Sequence, residues 1–250
     1  MSPRYRLPAG VLIPLALAVL TGRRRAFGPD ARACVAGLRP SLRVLGEAHR
    51  PADGPCLITV NHFSRPGFQA GWIPLAISAQ VPVEIHWVMT AAWTFPNRRQ
   101  ARWALRPASR WLLRRLAQVY AFTAMPPMPP DPADVVARAG AVRRVLTYAR
   151  RTGRPIIGLA PEGRDFPGGV LGPPPPGAGR FISQLAGLGL EIAPAGVYEA
   201  EGGLVVSFGP RFRLAAGGEL TAEARDETVS RRVMRAIAAQ LPAHLRGDYE

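Results

Sequence analysis

The chain has 250 residues, 48% of them apolar and 8% aromatic, which suits one globular domain with a sizeable core and excludes a disordered chain. Its net charge is +15, with a pI near 11.5, and all 32 basic residues are Arg, so the natural partner is a polyanion, either nucleic acid or an anionic membrane. Two cysteines, Cys34 and Cys56, exclude a disulfide framework, show no zinc-site spacing, and read as small buried hydrophobes.

The first element in the chain is the uncharged run LPAGVLIPLALAVL (Leu7–Leu20), flanked by Arg4 and Arg6 and then by Arg23, Arg24 and Arg25. At about 14 residues it falls short of the roughly 20 that span a bilayer. The triple Arg stands where a signal peptide would have its small-residue cleavage site. The run reads as a membrane-embedded or interfacial anchor, with a helix packed on the domain as the alternative. Residues 1–40 are thus a membrane-associating segment and connector, and residues 41–250 the folded domain.

From Ser41 the pattern is strand, Gly/Pro-rich turn, and a second apolar strand, Cys56–Val60, that ends in Asn61-His62 and a loop carrying Ser64, Arg65, Pro66 and Gly67. A helix through Gly71–Ser78 and a strand over Val83–Met89 follow. In the next segment Arg98, Arg102, Arg106, Arg110 and Arg114 recur every four residues beside Trp103 and Trp111. That spacing predicts one helical stripe, kinked at Pro107, suited either to lipid headgroups or to solvent. After a proline-stiffened loop, Asp131 and Pro132 look like the N-cap and first position of a helix running to Gly153. The buried strand in RPIIGLAP then delivers Glu162, Gly163, Arg164 and Asp165 into a loop. A helix near Phe181–Leu188, the strands LEIAPAGVY and LVVSFG, and a helix over Ala222–Leu241 complete the chain. Strands alternating with helices predict an α/β fold with a mostly parallel central sheet covered on both faces. In such sheets chemistry gathers beyond the carboxyl ends of the strands, where His62 and Glu162 both lie.

A strand ending in Asn-His-x-Ser, followed about a hundred residues later by one ending in Pro-Glu-Gly beside Arg, resembles the glycerolipid acyltransferase superfamily, whose best-known members are 1-acylglycerol-3-phosphate acyltransferases. The apolar strand EIAPAGV, with Pro194, matches a further block of that family. The resemblance covers roughly Leu42 to Leu214 and implies acyl transfer from acyl-CoA or acyl-carrier protein to a hydroxyl of a lysophospholipid or other lipid acceptor. His62 would be the general base. Asn61, Ser64, Glu162, Gly163 and Arg164 would belong to the substrate-binding region. No metal and no cofactor beyond the acyl donor are implied. The expected partners are anionic membrane lipids and the donor, not nucleic acid, at the cytoplasmic face of the cell membrane.

The chain departs from that pattern in three places. Gly67 stands where the family has the Asp that supports the base, with Glu84 and Asp165 as the conceivable substitutes through space. The segment Val119–Pro127 lacks the Arg of the family's second block. The third block reads Glu-Gly-Arg-Asp instead of Glu-Gly-Thr-Arg, so either Arg164 serves alone or Asp165 occupies the second basic position. The resemblance therefore leaves two readings: a divergent acyltransferase, or a catalytically silent relative that binds lipid.

Overall fold

The structure, a computed structural model, describes the backbone of residues 5–93, 99–127, 134–215 and 221–249, and the side chains of all of these except 99–106. Helices α1 (Ala9–Thr21) and α2 (Phe27–Ala36) precede strand β1 (Arg43–Leu45). There follow β2 (Cys56–Val60), α3 (Trp72–Gln80), β3 (His86–Thr90), α4 (Arg99–Val119), β4 (Thr123–Met125), α5 (Asp134–Arg151) and β5 (Ile156–Leu159). The chain closes with α6 (Ala178–Ala186), β6 (Glu191–Ala200), β7 (Gly203–Phe208) and α7 (Ala222–Ala238).

The strands form one seven-stranded sheet in the order β1-β7-β6-β2-β5-β3-β4, parallel throughout except for the β6–β7 hairpin. The α/β, mostly parallel arrangement read from the sequence is therefore the observed one. The reason lies in β2, which is buried on both faces. Because side chains alternate across a strand, Cys56, Ile58 and Val60 pack with α2 and α3 on one face, while Leu57 packs with α5, α6 and α7 on the other.

Two boundaries differ from expectation. Residues 27–38, expected as connector, supply Phe27, Ala31, Cys34 and Leu38 to the core. Strand β3 begins at His86 instead of Val83, because Glu84 is engaged elsewhere: its carboxylate accepts the Phe27 and Gly28 N–H groups at 3.0 and 3.1 Å and caps α2. Cys34 and Cys56 are both buried and free.

The N-terminal apolar run is helix α1, seated on α4 through Ala18, Val19 and Val119. Ile13, Leu17 and Leu20, spaced to share one helical face, are exposed, as is Leu12. No described helix is long and apolar enough to cross a membrane. The connector between α1 and α2 is pinned by Asp30, whose carboxylate accepts from Arg25 Nε at 2.9 Å and the Tyr120 hydroxyl at 2.7 Å. Of the expected Arg stripe, Arg98 and the side chains of Arg102, Trp103 and Arg106 lie outside the described residues, as do Asp131 and Pro132. Arg110 pairs with Asp134 at 3.2 Å, and Arg114 and Trp111 are exposed.

Candidate functional site

The parallel register decides which residues meet at the sheet's carboxyl edge. Thr59 on β2 lies beside Leu159 on β5, so the chain leaves both strands level and residue 62 emerges next to residue 162. Glu162 is 1% exposed, and neither of its oxygens is idle. Oε2 accepts the main-chain N–H of His62 at 2.7 Å, and Oε1 accepts that of Gly172 at 2.9 Å. Burial pushes its carboxyl up to about 7, against the opposing pull of those two N–H donors. Glu162 thus braces the histidine loop to the segment at Gly172 from beneath.

Asn61 is a second internal strut. It is 1% exposed, its amide nitrogen donates to the Val197 carbonyl at 2.8 Å, and its oxygen accepts the Val197 N–H at 2.8 Å. This two-way bond locks the end of β2 to its neighbour β6. Asn61 and Glu162, expected in the substrate-binding region, thus have their polar atoms engaged by the backbone around them, as a buried amide or carboxylate requires.

His62 itself is partly open. Its Nδ1 is shielded from solvent and lies 2.7 Å from Asp165 Oδ1, a contact with the length of a charge-assisted hydrogen bond but without its alignment. The ring keeps 30% of its side-chain surface exposed, and the Nε2 edge is the open one. Asp165 Oδ2 accepts the Ser64 hydroxyl at 2.6 Å. These contacts hold the Asp165 carboxyl below the usual carboxylate range, His62 being the main cause, burial opposing it, and Ser64 adding to it. Glu84, the other conceivable acid, is committed to the start of α2.

The loop after His62 turns on Pro66-Gly67. Arg65 and Phe68 exchange both main-chain hydrogen bonds, at 3.0 and 2.9 Å, and Gly67 has φ 85°. Pro followed by a positive-φ Gly is the signature of a type II turn, where any other residue at the second position is strained. The loop is packed from below by Phe63 stacked on Phe68, with centroids 4.5 Å apart, and by Tyr5 set edge-on to Phe68 at 4.8 Å. Arg65 forks onto Glu199 of β6 at 2.6 and 2.5 Å, and the Tyr5 hydroxyl donates to the same carboxylate at 2.8 Å.

Gly163 closes a turn onto the Ala160 carbonyl at 3.2 Å, and Arg164 is exposed, its guanidinium 4.6 Å above the Phe166 ring. His62, Ser64 and Asp165 are therefore joined by direct contacts, with Asn61 and Glu162 buried at the strand ends beside them and Gly163 and Arg164 in the loop that carries Asp165. Among the described residues no group of three or more His, Cys, Asp or Glu side chains could hold a metal ion. The sequence reading missed Tyr5 and Phe63, whose contribution rests on packing between distant segments.

No protein-family model matches the chain, and no curated protein does. Among solved structures it is similar to the crystal structure of the 1-acyl-sn-glycerophosphate (LPA) acyltransferase, PlsC, from Thermotoga maritima, at 14% identity over 85% of this chain and 76% of that one, with a TM-score of 0.47.

Proposed function

We propose that the protein is an acyltransferase that moves a fatty acyl group from a thioester, acyl-CoA or acyl-carrier protein, to a hydroxyl of a lysophospholipid or other lipid acceptor. The observation that carries this reading is the state of His62: at the carboxyl edge of a parallel sheet, Nδ1 faces a carboxylate at 2.7 Å while the Nε2 edge stays open. A buried structural histidine has no need of an open edge, and this favours a working base over the second reading, a silent lipid-binding relative.

In the proposed reaction Nε2 of His62 takes the proton of the acceptor hydroxyl as its oxygen attacks the thioester carbonyl. The C–O bond forms, the tetrahedral oxyanion collapses, and the C–S bond breaks. The imidazolium returns the proton to the departing thiolate, so the products are an ester and a free thiol, and no cofactor or metal enters the balance. General-base help of this kind is worth about 10²–10⁴ in rate. Arg164, exposed in the loop that carries Asp165, offers a cation to anionic groups of either substrate.

The exposed apolar face of α1, with Arg23 and Arg24 exposed just beyond it, supports a second part of the proposal, seating at an anionic membrane surface on the cytoplasmic side. The deciding experiment follows thiol release from a long-chain acyl-CoA presented with a panel of lysophospholipids. His62→Ala is expected to abolish release while leaving the thermal melt unchanged. Undiminished release by that variant would overturn the proposed chemistry.

A further inference from the structure

In a His-carboxylate pair the acid earns its effect by geometry: it keeps the ring's proton on the nitrogen it faces and leaves the other nitrogen bare. Here the position five residues after His62 cannot supply that acid. Gly67 sits at φ 85° in a tight turn whose ends, Arg65 and Phe68, are bonded to each other in both directions. The carboxylate that does reach Nδ1 arrives from the loop after β5, at a separation of more than a hundred residues, through the level register of β2 and β5. It also arrives with a clasp. Ser64, two residues beyond the base, holds Oδ2 at 2.6 Å, so Oδ1 is the oxygen left for the imidazole at 2.7 Å.

We infer that Asp165, oriented by Ser64, is the positioning residue of the His62 base, a carboxylate relocated from the histidine's own loop to the neighbouring one. This inference rests on the acyl-transfer reading above and deepens it. Asp165 holds the neutral ring with its proton on Nδ1, so that Nε2 accepts the acceptor's proton. Ser64 sets the plane of the carboxylate and contacts no reacting atom. The Nδ1 contact is loosely aligned in the free protein, as hydrogen bonds of a general base often are before substrate binds.

The test uses the full-length protein with palmitoyl-CoA as donor and 1-oleoyl lysophosphatidic acid as acceptor, and compares Asp165→Asn, Ser64→Ala and Ser64→Thr with the parent. Asp165→Asn is expected to lower kcat on the order of 10²–10⁴-fold with KM changed less than about threefold, as the template of a lost orienting carboxylate implies. Ser64→Ala is expected to lower kcat about tenfold, and Ser64→Thr, which keeps the hydroxyl, to restore it. Ring ¹⁵N resonances of His62 supply a readout that turnover does not. In the parent the neutral ring is expected to carry its proton on Nδ1, and in Asp165→Asn that preference is lost. An Asp165→Asn variant with kcat within threefold of the parent, alongside an inactive His62→Ala, would overturn this inference and leave the acyl-transfer reading standing. A fully active His62→Ala would overturn both. An Asp165→Asn variant that melts early would shift the decision to the Ser64 pair, where equal kcat for Ala and Thr counts against the clasp.

Discussion

Glu162 and His62 stand level across the β2–β5 pair, and the buried carboxylate of the first takes the main-chain N–H of the second at 2.7 Å. Burial raises the Glu162 carboxyl from its ordinary 4.5 to about 7. Between those values the folded chain holds a proton that the unfolded chain releases. The contribution of this group to stability is therefore complete below pH 4.5 and is lost as pH rises through about 7. Glu162→Gln removes that dependence and turns an amide N–H₂ toward one of the two N–H donors, costing roughly 1–3 kcal/mol. Urea unfolding of parent and variant at several pH values tests both points: the parent's advantage should narrow from pH 4.5 to 8.

Asn61 presents a different liability, since one side chain satisfies both polar groups of Val197. Asn61→Leu leaves a buried N–H and a buried C=O without partners, and a loss of roughly 2–4 kcal/mol is expected. Asn61→Asp should fare no better, because a carboxylate oxygen would face the Val197 carbonyl. The midpoint of guanidinium unfolding reads the loss directly.

Restoring an acid at position 67 should not improve the protein. At φ 85° an Asp is strained, and Gly67→Asp is expected to cost about 1–2 kcal/mol without raising turnover. Gly67→Asn, better tolerated in that region, should cost less. A thermal melt beside a thiol-release assay separates the two effects.

Membrane seating can be tested without dismantling the fold. Replacing Ile13, Leu17 and Leu20 by Ser changes residues that are already exposed, so the melt should hold. Partitioning onto vesicles of mixed anionic and neutral lipid should fall on the order of 100-fold, from the loss of three inserted side chains. Binding unchanged by the triple substitution would rule out this face as the seat.

The apolar runs Cys56–Val60 and Ile156–Leu159 announce two buried parallel strands, and the punctuation after each announces the loops that carry His62 and Glu162. Pro66-Gly67 equally announces a turn. What the sequence withholds is direction. Whether Asn61 and Glu162 face substrate or the interior depends on which backbone donors the neighbouring strand presents, and that is set by register, which no local pattern encodes. Glu84 and Asp165 are interchangeable candidates on paper. Only the folded chain sends one to the start of α2 and the other to the imidazole. Helix α2 has no local signature, because Gly28 and Pro29 near its start look like a connector and the carboxylate that caps it lies 57 residues away.

Tyr5 gives the chain's first described residue a mechanical meaning. Its ring rests on Phe68 and Trp72, its hydroxyl holds Glu199, and Glu199 in turn grips Arg65 in the loop that begins at His62. A pull on the stretch leading into α1 would thus reach the histidine loop by two routes, directly through Phe68 and through Glu199 to Arg65, three residues after His62. Trimming residues 1–25 removes this linkage together with the apolar helix, so a shortened chain that lost turnover would have lost two things at once. The surface substitutions in α1 leave the linkage in place, and only they can tell adhesion from alignment.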